Sequence, residues 1–167
     1  DLAKRLSLRK PPSLIECYDI ATLQGASSVG AKVAFREAEP AKNEYRLFKI
    51  KGVKGQDDFA MIREVLARRF RTEGQDPQSL PDLLVVDGGK GQLAMAEEVI
   101  GEMQLQGIAL AALVKSHLKS DDSGESARTA EHIFLPGRKN PVLFPPYAPS
   151  FYLLQRLRDE AHRFANS

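Results

Sequence analysis

Two acids in this sequence stand where chemistry is possible. Asp19 lies near the end of the apolar run "LIECYDI" (Leu14 to Ile20), and Asp87 closes "DLLVVD" (Asp82 to Asp87). If these runs are neighbouring strands, both carboxylates emerge at one edge of a sheet. Two carboxylates with oxygen ligands to spare make a hard-cation site suited to Mg2+ or Mn2+. Water on such a cation can attack a phosphodiester, and the cation can also stabilise the departing oxygen. Two strand-end acids on adjacent strands have no obvious packing role, which favours a functional site.

The residues after Asp87 admit a competing reading. "DGGKGQL" (Asp87 to Leu93) is glycine-rich and carries Lys90. A phosphate-wrapping P-loop needs GxxxxGK followed by Ser or Thr; here the wrap is too short and the hydroxyl is missing. The dinucleotide fingerprint GxGxxG is also absent. Gly88, Gly89 and Gly91 instead remove bulk around Asp87, so that a polyanion's backbone could approach. Lys90 and the start of a helix would add positive potential for a phosphate. The plainer alternative is that Asp87 caps that helix and the glycines form a tight βα turn.

The elements that must carry these residues follow from hydrophobic periodicity. "LIECYDI", "SSVGAKVAFRE" (Ser27 to Glu37) and "EYRLFKIKG" (Glu44 to Gly52) read as an antiparallel meander. "DDFAMIREVLARRF" then sets Phe59, Ile62, Leu66 and Phe70 on one helical face, with Asp57 and Asp58 at its N-cap and first turn. "DLLVVD" suits a strand covered on both faces. "GQLAMAEEVIGEMQ" reads as a second helix, and "IALAALVK" as a further strand. "EHIFLPGRKNPVLF" reads as two short strands around a turn. "PSFYLLQRLRDEAHRFANS" is a closing helix started by Pro149 and Ser150, with Phe151, Leu154, Leu157, Ala161 and Phe164 on its apolar side. Arg156 with Glu160, and Asp159 with Arg163, are spaced for i,i+4 ion pairs. The order β-β-β-α-β-α-β, a ribbon and a helix predicts an α/β fold: a mixed sheet with helices packed on it. Residues 1–12 read as an N-terminal arm closed by Pro11 and Pro12, and residues 116–131, rich in Ser, Asp and Gly, as a mobile surface loop.

Bulk properties bound the answer. The chain has 167 residues, sized for one domain. No apolar run approaches the roughly 20 residues of a membrane helix, and no signal-peptide pattern opens the chain. The lone Cys17 excludes an internal disulfide, fits a reducing compartment, and reads as a buried structural thiol. With a net charge of +2, nucleic acid would have to be bound by local basic clusters such as "RRFR" and "GRK" (Gly137 to Lys139). Each cluster could equally be a solvated face.

Six blocks carry a resemblance in register: "IECYDIATLQG", "YRLFKIKG", "DDFAMIREVLARRF", "PDLLVVDGGKGQL", "IFLPGRKNP" and "LLQRLRDEAHRFA". The chain closely resembles the C-terminal endonuclease domain of UvrC, the incision subunit of the bacterial UvrABC excinuclease. The resemblance implies a ribonuclease H-like fold with a mixed five-stranded sheet. It also implies a divalent metal (Mg2+ or Mn2+), a bacterial cytoplasmic setting, and cleavage of damaged double-stranded DNA on the 5′ side of a lesion. UvrB, loaded by UvrA, would be engaged through regions outside this chain.

The family's catalytic positions carry over as Asp19, Asp87 and His162 of "DEAHR"; Asp58 also matches a position implicated in incision, and N-capping is its alternative. The resemblance implies Asp19, Asp87 and His162 as the metal set, with His162 a ligand or the general base for the attacking water. Lys90 is the leading candidate for phosphate contact. Arg138 and Lys139 read either as DNA-backbone contacts or as an exposed turn. Two features depart from the family: Ala21-Thr22 replaces its usual Ser-His, and residues 116–131 do not follow its pattern. The family's GIY-YIG nuclease, UvrB-binding segment and helix-hairpin-helix module are not in these residues, so either a fragment or a stand-alone relative is expected. A non-catalytic nucleic-acid-binding module of the same fold, or a branched-DNA nuclease, is the alternative function.

Overall fold

The computed structural model describes residues 2–22, 27–53, 55–73, 76–115, 131–145 and 147–167. In chain order the elements are α1 (Leu2–Arg5), β1 (Leu14–Thr22), β2 (Ser28–Arg36), β3 (Glu39–Pro40), β4 (Arg46–Lys49), α2 (Asp58–Glu73), β5 (Leu83–Asp87), α3 (Lys90–Glu102), β6 (Ala109–Lys115), β7 (Glu131–Phe134) and α4 (Pro149–Ala165). The sheet runs β3-β2-β1-β5-β6-β7, with β4 also paired to β2. The five expected strands are β1, β2, β4, β5 and β6; β3 and β7 are short additions at the edges.

β1 is the hinge of the architecture. It pairs antiparallel with β2 and parallel with β5, which in turn pairs parallel with β6. The parallel pairs require crossovers, and α2 and α3 supply them. Because side chains alternate along a strand, β1 and β5 serve two cores. Ile15, Cys17, Leu83 and Val85 face α4, packing with Leu154, Leu157 and Ala161. Tyr18, Leu84 and Val86 face α2 and α3, packing with Ile62, Leu66, Phe70, Leu93 and Val99. The continuous apolar run of β5 is thus a strand covered on both faces, as its composition requires.

One charged pair is sealed inside the second core. Arg69 of α2 donates from Nη2 to Glu16 Oε2 of β1 at 3.0 Å, and both side chains are 2% exposed. Tyr18 donates its hydroxyl to the other Glu16 oxygen at 2.5 Å, and Arg69 also reaches the carbonyl of Ser79 at 2.6 Å. A carboxylate can be buried only when its charge is met in this way. The contact fixes α2 against β1 and therefore fixes where the first turn of α2 stands relative to Asp19.

Within the N-terminal arm, Leu2 of α1 and Leu6 just after it are buried in the α4 core. Two sequence expectations are revised. The second strand of the ribbon after "PGRKNP" shrinks to one bridge between Val142 and Ile133. The proline-flanked segment cannot extend the ladder, because proline lacks the donor a strand needs. On α4, Arg163 pairs with Glu160 rather than Asp159, while Asp159 takes Arg158 at 3.0 Å. Arg156 leaves the helix surface to approach Glu39 at 3.9 Å. Of the expected mobile loop 116–131, residues 116–130 lie outside the described residues, and Glu131 begins β7.

Candidate active site

Asp19 and Asp87 sit side by side. The β1–β5 register pairs Cys17 with Val85 and Tyr18 with Val86, and one further step sets Asp19 level with Asp87. Both follow the alternation of Cys17 and Val85, so both carboxylates point to the α4 face, where the charge of Asp19 acts on Asp87. On α4, His162 brings Nδ1 to 3.3 Å from Asp19 Oδ2. Asp19 thus stands between the other two candidates, in contact with His162 and acting on Asp87 through its charge. Among the described residues no group of three or more His, Cys, Asp or Glu side chains is gathered closely enough to hold a metal ion unaided.

The electrostatics of the acids are those of a charge-deficient site. Burial pushes the Asp87 carboxyl up to about 6, and the neighbouring Asp19 charge adds to the rise; Arg158 and His162 oppose it. Burial likewise raises Asp19, against the pull of His162. The charge of Asp58 raises it further, so the first turn of α2 is within electrostatic reach of the site. Two desolvated carboxylates that repel one another are stabilised by any cation placed between them. The donor set is all-oxygen with one imidazole beside it, which suits Mg2+ or Mn2+. Beneath them Cys17 is fully buried and its thiol is raised well above its ordinary value by desolvation, so it is inert.

Capping accounts for Asp57 and not for Asp58 or Asp87. Asp57 caps α2, accepting the Ala60 N–H at 3.1 Å, which leaves Asp58 as the first helical residue with its carboxylate uncommitted to the cap. At the start of α3, Gln92 rather than Asp87 supplies the cap, with Oε1 accepting the Gly89 N–H at 3.0 Å.

Gly88 and Gly91 have internal reasons, whereas a Cβ on Gly89 would meet only Val114, at 3.9 Å. Gly88 turns the chain off β5 at φ +146°, a conformation that disfavours other residues. A Cβ on Gly91 would lie 2.4 Å from the Phe59 ring, so that space belongs to α2 packing on α3.

The basic candidates divide. Lys90 donates from Nζ to the Lys139 carbonyl at 2.7 Å and lies 5.2 Å from the Phe134 ring centroid, tying the 136–140 turn to the start of α3. Arg138 donates to Ser7 Oγ at 2.7 Å and lines a cavity with Leu83 and Ala109, the first residues of β5 and β6. It therefore sits toward the strand end opposite Asp87, about 13 Å away along β5.

Sequence reasoning gave no role to Arg158. It lies one turn before His162 on α4, its side chain is 11% exposed, and its positive charge acts on both Asp87 and Cys17. The i,i+4 spacing to His162 was the available signal.

A family model, the UvrC RNAse H endonuclease domain, matches residues 3–166. The chain belongs to that family. It is 48% identical over 166 residues to the UvrABC system protein C of Geobacter metallireducens, covering 99% of this chain and 27% of that protein. It is 47% identical over 167 residues to the corresponding protein of Bdellovibrio bacteriovorus, covering 99% of this chain and 26% of that one. The chain therefore spans about a quarter of the length of these curated relatives. Among solved structures it is similar to Endonuclease V of Ciona intestinalis, with a TM-score of 0.49 and 10% identity over 92% of this chain and 87% of that one, too distant to assign a function. The ribonuclease H-like architecture expected from the six sequence blocks is thus that of the family itself. No helix among the described residues is long and apolar enough to cross a membrane.

Proposed function

We propose that this chain is a divalent-metal-dependent DNA endonuclease domain that makes the incision 5′ to a lesion in nucleotide excision repair. The observation that carries the reading is the position of Asp19 and Asp87, each one step beyond the last paired residues Tyr18 and Val86 of adjacent parallel strands, with His162 against Asp19.

Asp19 and Asp87 would hold a Mg2+ or Mn2+ ion, which when bound supplies charge stabilisation to a phosphodiester and acidifies a water. The chain's own residues do the rest. With a proton on Nδ1, the imidazole donates to Asp19, and Nε2 keeps its lone pair. The His162 side chain is 72% exposed, so Nε2 is accessible to water and to a substrate phosphate. This orientation suits a general base that takes a proton from the attacking water. Arg158, partly sheltered beside Asp87, limits the repulsion between the acids. Lys90 uses one of its three donors on the Lys139 carbonyl and is exposed, so two remain for a phosphate. Asp58 adds negative charge at the edge of the site. DNA bearing a lesion, and the UvrB and UvrA partners, enter this proposal from the naming of the relatives as UvrABC system protein C. The setting that follows is the bacterial cytoplasm.

The test is a graft. This chain replaces the matching segment of the Geobacter metallireducens UvrABC system protein C, and the hybrid is assayed with UvrA and UvrB on an end-labelled duplex carrying one bulky adduct. Mg2+-dependent 5′ nicking by the hybrid, lost with Asp19→Ala and with His162→Ala, is expected. Normal 5′ nicking by either variant would remove the assignment.

A further inference from the structure

We propose that two adjoining cavities beside the catalytic acids bind one unpaired nucleotide of the DNA strand, its phosphate in a lysine-lined groove and its base against Phe59. The inference rests on the DNA-nuclease reading above and extends it to a subsite that uses none of the catalytic residues except the neighbouring Asp58.

The first cavity, about 390 Å3, is lined by Thr22, Ser28, Lys49, Lys51 and Gln56 among others. Lys49 and Lys51 are exposed and form no ion pair among the described residues. Their backbone is clamped all the same. Glu64 of α2 accepts the N–H groups of Lys51 and Gly52 at 2.9 and 2.6 Å, and Arg68 donates to the Lys49 carbonyl at 2.6 Å. Two cations on a fixed backbone, with serine and threonine hydroxyls opposite, suit a phosphate.

The second cavity, about 340 Å3, is lined by Gln56, Asp57, Asp58, Phe59 and Gln92. Gln56 lines both cavities, so they adjoin. Here a phosphate is excluded by the two carboxylates. What the second cavity offers is a π-face and carboxamides that can meet the edge of a base. Phe59 is 48% exposed, unusual for so large an apolar ring. It is also immobilised, because it fills the space that a Cβ on Gly91 would occupy. A rigid, half-exposed ring costs little entropy to use as a stacking platform.

The location fits a strand leading into the active site. Lys49 pairs with Val29, and Val29 with Ala21, which puts Lys49 two strands from β1, about 10 Å across the sheet. Ala21 is two residues beyond Asp19. Asp58, next to Phe59, acts electrostatically on Asp19.

The test uses this chain with a single-stranded oligonucleotide containing 2-aminopurine, in EDTA at low salt so that no cleavage occurs. Saturable binding with quenched 2-aminopurine fluorescence is expected. Phe59→Leu keeps apolar bulk over Gly91, and should lose the quenching and weaken binding about 10-fold, while Phe59→Trp retains both. Lys49→Gln with Lys51→Gln should lower the slope of log affinity against log salt by about 0.7, the value for one phosphate neutralised on a single strand. Unchanged quenching and affinity in Phe59→Leu, an unchanged salt slope, or no saturable binding by the wild-type chain overturns the proposal. Nicking by the Asp19→Ala graft is read separately, so a failed subsite and a failed nuclease assignment are distinguishable.

Discussion

His162 Nδ1 lies 3.3 Å from Asp19 Oδ2, a contact across 143 residues of sequence that joins the last helix to the first long strand. Asp19 is 8% exposed and the imidazole projects outward, so the contact bridges the core and the surface. It orients the ring without burying it. His162→Ala should therefore leave thermal stability nearly unchanged while lowering 5′ nicking by roughly 100- to 10,000-fold, the range of a positioned general base. A pH–rate profile checks the role: the acidic limb belonging to the base should vanish in the variant.

Asp87→Asn gives a prediction about stability. The folded carboxyl sits at about 6, above its ordinary value near 4, so the native state binds more protons than the unfolded state between those values. The sign follows: native stability falls as pH rises through that window, and the penalty persists above it. In metal-free buffer at pH 7 to 8, Asp87→Asn should raise the melting temperature by a few degrees and flatten its dependence on pH between about 4 and 6. Mn2+ should raise the melting temperature of the wild-type chain and not that of Asp87→Asn. A lower melting temperature for the variant in EDTA would contradict this account of the acids.

The Glu16–Arg69 pair predicts a different failure. Replacing Arg69 with Met leaves a carboxylate inside the α2 core with one partner fewer, and should cost about 3–5 kcal/mol in denaturant unfolding. Removing both charges, as Glu16→Gln with Arg69→Met, should recover part of that loss. An Arg69→Met variant as stable as wild type would show that the pair does not fix α2 on β1.

Gly91→Ala places a methyl group 2.4 Å from the Phe59 ring and should destabilise by about 1–3 kcal/mol. Adding Phe59→Leu should relieve much of it, because a smaller side chain can yield. Additive losses in the double-mutant cycle would mean that the two positions do not compete for one space.

What the sequence disclosed, and what it did not, follows from which interactions are local. β5 was legible because its apolar run is continuous, and α2 because Ile62, Leu66 and Phe70 repeat at helical spacing. The adjacency of β1 and β5 was a conditional inference from two strand-end acids, and the parallel register makes it concrete. The purpose of Gly91 was not legible, since its neighbour Phe59 is distant in sequence and the constraint exists only when α2 and α3 touch. The same holds for Arg138, whose guanidinium turns to Ser7 of the N-terminal segment. Charge runs on an exposed turn look alike whether they face DNA or their own chain. Asp57 and Asp58 were ambiguous because adjacent acids at a helix start share one composition signal; only the Ala60 N–H contact separates cap from neighbour.

Diffraction from crystals of this chain soaked in Mn2+, read at the manganese absorption edge, tests the account most directly. The prediction is one anomalous peak coordinated by carboxylate oxygens of both Asp19 and Asp87, at about 2.2 Å, and absent from Asp87→Asn crystals. A peak held by neither acid, or one that persists in Asp87→Asn crystals, would contradict the shared-cation site.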